Sequence, residues 1–202
     1  MHADTANPLL RPWTGPYGGV PPFDQVKVEH FEPALEAAME VNRKEIAAIA
    51  ANPAAPDFEN TIAALERSGR LFNDVGAVFG VFGASLATPD YQAVERKMAP
   101  RLAAFTDEIV QNGALFARIQ AVYESPAKAQ LTPEQQRLVW LHYTNFVRAG
   151  ARLDAAGKKR MVAINERLAS LFTTFRQNVL ADEGTFVTLE TEADLVGLPE
   201  SV

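Results

Sequence analysis

The chain has no cysteine, three histidines and no basic run longer than Lys158-Lys159-Arg160. Each scarcity removes a class of chemistry. Without cysteine there are no disulfides and no thiolate metal sites, and the redox compartment is left open. His2, His30 and His142 do not stand four residues from one another, and no His-Glu-x-x-His occurs, so the usual helical zinc pair is missing. With 19 Lys and Arg against 25 Asp and Glu, the net charge is -6, which argues against nucleic acid as a partner. The most apolar run, Val75 to Ala87, is too short to cross a bilayer, so no membrane partner is expected. Met1 to Asn7 is polar and shows no signal peptide, although a removed signal would leave the same start. A soluble protein is expected, cytoplasmic or periplasmic.

Apolar residues make up 48% of the 202 and charged residues 22%, which is enough to bury a real core in one domain of ordinary size. The organising stretch is Asp57 to Leu86. Its apolar residues Phe58, Ile62, Leu65, Phe72, Val75, Phe79, Phe82 and Leu86 recur in steps of three, four or seven. One helix of about 45 Å is expected there.

Before it, residues 1–28 are rich in proline and carry Gly15, Gly18 and Gly19, which reads as an extended arm held by Trp13, Tyr17 and Phe23. A first helix is expected from about Glu29 to Ala51, stopped by Asn52-Pro53. Asp57 is a plausible N-cap for the second. Thr88-Pro89 opens a third to Val110, with a kink expected at Pro100. A fourth runs from Gly113 to Tyr123. Thr132-Pro133-Glu134-Gln135 is a capping box that starts a fifth, to about Ala149. The sixth runs from Asp154 to Leu180, with Met161, Ile164, Leu168, Leu171, Phe172, Phe175 and Val179 as its apolar stripe. Phe186 to Leu189 is at most one short strand without a partner. The expected fold class is all-α: about six mostly antiparallel helices behind the arm, with a helical domain over 29–182. The segment 183–202 reads as the start of something that continues, so truncation is expected.

No catalytic residue is assigned. Ser68, Ser85, Ser125, Ser170 and Ser201 have neither a neighbouring histidine nor a Gly-x-Ser-x-Gly setting. His142 lies between Val139 and Phe146, where a hydrogen-bonded structural histidine is the expectation, and His30 is a helix-start residue. Glu29, Glu32, Glu36 and Glu40 line one side of the first helix and are read as a solvated face rather than an acid–base pair or cation site. Lys158, Lys159, Arg160 and Arg167 are able to meet a substrate carboxylate, but the same turn also reads as solubilising. Gly76, Gly80 and Gly83 are assigned to close helix packing or a bend. Phe72, Phe79, Phe82, Phe105, Phe116, Phe172 and Phe175 are assigned to the core.

Asn7-Pro8-Leu9-Leu10, Pro22-Phe23-Asp24, Asn52-Pro53 and above all the string Phe58-Glu59-Asn60-Thr61-Ile62-Ala63-Ala64-Leu65-Glu66-Arg67-Ser68-Gly69 resemble the N-terminal part of the bacterial peptidyl-dipeptidases. These are grouped with oligopeptidase A and thimet oligopeptidase. The likeness continues through Met98-Ala99-Pro100-Arg101, Phe146-Val147-Arg148-Ala149-Gly150 and Asn165-Glu166-Arg167-Leu168 to Gly197-Leu198-Pro199. The resemblance implies an almost wholly helical zinc metallopeptidase that admits short peptides to a deep channel and releases C-terminal dipeptides. In the family, a His-Glu-x-x-His helix and a later glutamate hold the zinc, downstream of the matched region, and the motif's glutamate acts as general base. No catalytic or metal position carries over to this chain, and substrate-binding residues stay unknown. The resemblance thus implies a segment that binds no zinc itself, forms a wall of the channel, and has the C-terminal catalytic part and short peptides as partners. The alternative is a stand-alone helical protein-binding module without peptidase activity.

Overall fold

The computed structural model describes residues 7–199 and is built almost wholly from helices. α1 spans Phe31–Ala50, α2 Ala64–Arg67, α3 Arg70–Ser85, α4 Pro89–Val110, α5 Gly113–Glu124, α6 Pro133–Arg148 and α7 Ala155–Glu183. α2 is a single turn, which leaves six long helices, and no strand occurs among the described residues. Among the described residues the only β-type pairing is the Thr14–Val20 bridge of the arm, and 186–189 form no ladder. Sequence and structure agree on an all-α fold.

The helix starts follow local chemistry. Asp57 accepts from the Asn60 amide at 2.7 Å while Asn60 Oδ1 accepts from the Asp57 amide at 3.0 Å. Thr132 and Gln135 make the same reciprocal pair. Asp154 Oδ1 accepts from the Gly157 amide at 2.7 Å. Each satisfies backbone donors that the first turn leaves without partners.

The long helix expected over Asp57–Leu86 is not continuous. Phe58–Ala63 is a π-helical turn, α2 follows, and the chain breaks at Ser68 and Gly69 before α3. Gly69 has φ +73°, a left-handed conformation that side chains resist. Its amide donates to Glu45 Oε2 of α1 at 2.7 Å, and a Cβ there would lie 3.2 Å from Asn42 Nδ2. The break is also where the chain changes core. Ile62 sits with Ile46, Ile49, Leu115 and Ile119, whereas Val75, Val78, Phe79 and Phe82 sit with Phe31, Leu35 and Met98. The apolar period runs across both halves and is blind to a two-residue interruption.

In the larger core Phe31 meets Phe79 and Phe82 edge to face, with centroids 5.2 and 4.8 Å apart. Tyr91 is buried and donates its hydroxyl to the Phe79 carbonyl at 2.7 Å. A Cβ on Gly83 would come within 2.8 Å of the Tyr91 oxygen, so close packing requires glycine there. Gly76 and Gly80 face open space, and the packing role assigned to them is corrected. α4 continues through Pro100 to Val110; the carbonyl that loses its donor belongs to exposed Arg96. The arm is held by Leu9, Val26 and half-buried Trp13, not by Tyr17 and Phe23, which are exposed. Asn7 Nδ2 fastens it further by donating to the His30 carbonyl at 2.9 Å.

Candidate functional site

The part of the molecule that stands apart chemically is the seam between α4 and α7. On α4 the inward stripe reads Tyr91, Glu95, Met98, Leu102, Phe105, with a carboxylate where an apolar residue belongs by period. Glu95 is 8% exposed and buried Asp107 lies three turns further along. A buried carboxylate needs partners. α7 supplies them from one face: Arg176 Nη2 stands 2.5 Å from Glu95 Oε1, and Gln177 Nε2 donates to Glu95 Oε2 at 2.7 Å. Asn165 Nδ2 donates to Asp107 Oδ1 at 2.7 Å, and Lys158 Nζ donates to the Gln111 carbonyl at 2.9 Å. Asp107 Oδ2 and Gln111 Nε2, one turn apart, are buried without a protein partner. Burial, with the Glu95 carboxylate second, pushes the phenol of Tyr91 well above its ordinary value.

α7 therefore meets its own bundle mainly through polar groups. Its apolar stripe is turned outward instead: Ile164, Leu168, Leu171, Phe175 and Val179 share a face at helical spacing and all are exposed. Phe172 and Phe175 are 67% and 68% exposed, so their assignment to the core is corrected. The other five phenylalanines of that set are inside or packed against the cores. Phe172, Phe175, Val179 and Arg176 wall a groove of about 570 Å³ whose floor is Ala99 of α4 with Ala169 and Thr173 of α7.

The other sequence candidates fall elsewhere. His142 Nε2 lies 2.6 Å from Glu66 Oε1 and is half-buried, a structural pairing as expected. His30 Nδ1 accepts from the Lys27 amide at the start of α1. His2 lies outside the described residues. Glu32 and Glu36 are more than a solvated face: Glu32 pairs with Lys97 and Arg101, and Glu36 with Arg101, across to α4. Glu40 pairs with Lys44 at 3.6 Å, and Glu29 lies beside Lys27. Lys158 is tied down, while Lys159, Arg160 and Arg167 are exposed. Among the described residues no three His, Asp or Glu side chains gather closely enough to hold a metal, and no helix is long and apolar enough to cross a membrane.

Sequence reasoning missed Glu95, Asp107 and Arg118. A carboxylate on the apolar stripe of α4 was a readable signal for the first. Arg118, buried among Leu115, Ile119 and Val122, clamps the loop before the π-turn: it donates to the carbonyls of Asn52 and Ala54 at 2.7 and 3.1 Å and to Asn60 Oδ1 at 2.7 Å.

No protein-family model matches the chain. It is 39% identical over 197 residues to a dipeptidyl carboxypeptidase of Escherichia coli K12, covering 97% of this chain and 29% of that protein. It is 29% identical over 201 residues to an oligopeptidase A of Haemophilus influenzae, covering 97% of this chain and 28% of that one. An organellar oligopeptidase A of Arabidopsis thaliana is 26% identical over 198 residues, with 98% and 24% covered. The chain spans less than a third of the length of the curated relatives it matches. The resemblance read from the Phe58–Gly69 string thus holds across the sequence: over nearly its whole length the chain matches the N-terminal region of dipeptidyl carboxypeptidases and oligopeptidase A.

Proposed function

We propose that this chain is the non-catalytic, N-terminal helical part of a longer zinc metallopeptidase that hydrolyses short oligopeptides and releases dipeptides from their C-termini. The observation that carries the reading is the 39% identity to a dipeptidyl carboxypeptidase across 97% of the chain. That this identity exceeds the 29% to an oligopeptidase A favours the dipeptide-releasing activity over a more general oligopeptidase. In this reading the helices form one wall of a substrate channel. They narrow the approach to the reaction centre, so that extended peptides enter and folded proteins do not.

Among the described residues the side chains fit no zinc site. His30 and His142 are engaged with Lys27 and Glu66 on separate helices, and no third ligand stands near either among the described residues. No step of hydrolysis is therefore assigned to them. The metal, its bound water and the general base belong to the catalytic part that follows in the longer polypeptide.

The test compares the pure 202-residue chain with the polypeptide encoded by the full source gene, each offered an N-terminally blocked heptapeptide and followed by mass spectrometry. The longer polypeptide is expected to release dipeptides in a zinc-dependent way, and the 202-residue chain to release none. Zinc-dependent dipeptide release by the short chain overturns the non-catalytic role. A zinc-loaded longer polypeptide that leaves the peptide intact overturns the peptidase reading.

A further inference from the structure

The outward face of α7 has the composition of an interior. Ile164, Leu168, Leu171, Phe175 and Val179 follow one another in steps of four, three, four and four, a stripe of about 22 Å along the helix. The face toward α4 is already satisfied by the bonds of Asn165, Arg176 and Gln177, so the stripe has no seat within its own bundle. More than half of the large apolar side chains exposed among the described residues lie between Ile164 and Leu198. An uninterrupted apolar stripe of this extent marks an interaction surface rather than ordinary scatter.

Resting on the peptidase reading, the geometry points to one occupant: an amphipathic helix from the part of the longer polypeptide outside this chain, laid along α7 over Ile164–Val179, with its largest side chains in the groove floored by Ala99 and Ala169. Roughly seven tenths of the length of the dipeptidyl carboxypeptidase lies beyond the matched stretch, which is ample to supply such a helix. Small residues on the floor let a second helix approach closely, and Phe172 and Phe175 interdigitate with it as ridges enter grooves. The rim away from α4 is basic, with exposed Arg160 and Arg167, whereas Arg176 on the α4 side is already paired with Glu95. The incoming helix accordingly carries acidic residues on the side of its apolar face that meets Arg160 and Arg167.

The chain has no native cysteine, so single thiols report exposure directly. Phe172→Cys and Phe175→Cys are placed in the 202-residue chain and in the longer polypeptide, whose own cysteines are first replaced by serine. Ala121→Cys, exposed on α5, is the control. Labelling of both α7 thiols is expected to slow at least about tenfold in the longer polypeptide, while the control keeps its rate. A longer polypeptide whose α7 thiols label as fast as in the short chain overturns the seat and leaves the peptidase reading intact. A reading frame that stops at Val202 overturns both. Protection already present in the short chain, with a doubled mass by light scattering, gives the face to a second copy and overturns the proposal.

Discussion

Replacing Glu95 by alanine removes the centre of the α4–α7 seam. Two bonds are lost, from Arg176 at 2.5 Å and from Gln177 at 2.7 Å. A hydrogen bond to a charged group contributes about 1.5–3 kcal/mol when buried. The Arg176 side chain is 67% exposed and rehydrates on release, so its share is nearer the surface value of about 1 kcal/mol or less. Gln177 is half-buried and recovers less. The expected loss is about 2 kcal/mol, felt first in α7, which rests on the bundle chiefly through α4. That corresponds to a rise of about thirtyfold in the opening equilibrium of the α7 amides. Amide exchange resolved by segment, together with urea denaturation, reads both quantities. In a double-mutant cycle, Arg176→Ala added to Glu95→Ala is expected to cost almost nothing further. Exchange over 165–180 that stays at the parent rate, or that rises equally in α1 and α7, refutes the idea that Glu95 holds α7 to α4.

Gly69→Ala forces a side chain into the left-handed region against Asn42 and is expected to cost about 1–2 kcal/mol in urea denaturation. Arg118→Met strips the Asn52–Asn60 loop of three bonds; about 2–4 kcal/mol is expected, with faster proteolysis within that loop and partial recovery in Arg118→Lys. The phenol of Tyr91 is held above its unfolded value, so the unfolded chain loses this proton first as pH rises past about 10. Stability contributed by Tyr91 is complete below that pH and falls by about 1.4 kcal/mol per pH unit above it. Urea midpoints of parent and Tyr91→Phe chains between pH 9 and 11 are expected to converge, and parallel curves refute the assignment.

The helices were legible because their signals are local. Thr88-Pro89, Asp57 and the Thr132–Gln135 box act through bonds within one turn, and all three open helical segments where the sequence places them. The break at Gly69 was illegible because its cause is distant in sequence: Glu45 and Asn42 of α1 capture a left-handed turn that the apolar period passes over. The stripe of α7 was read correctly as a stripe and wrongly as core, because period reveals that a face is apolar and not what covers it. The seam was hidden in the opposite way. Asn165, Arg176 and Gln177 look like the solvated side of a helix until Asp107 and Glu95 are found beneath them.

These two misreadings have one physical origin, the roll of α7 about its axis. Turned by about a third of a revolution, α7 would lay Ile164, Leu168, Phe175 and Val179 against α4 and send Asn165 and Gln177 into water. Such a roll gains apolar burial at about 25 cal/mol per Å². It also strands Glu95 and Asp107 without partners in a water-poor seam, and an unpartnered buried charge costs about 3–5 kcal/mol. The buried carboxylates of α4 thus select the orientation in which the polar side of α7 faces inward. What they add to the fold is direction more than stability. They hold an apolar face outward at a fixed angle, ready for a helix that supplies both the greasy side chains and the acids its one basic rim requires.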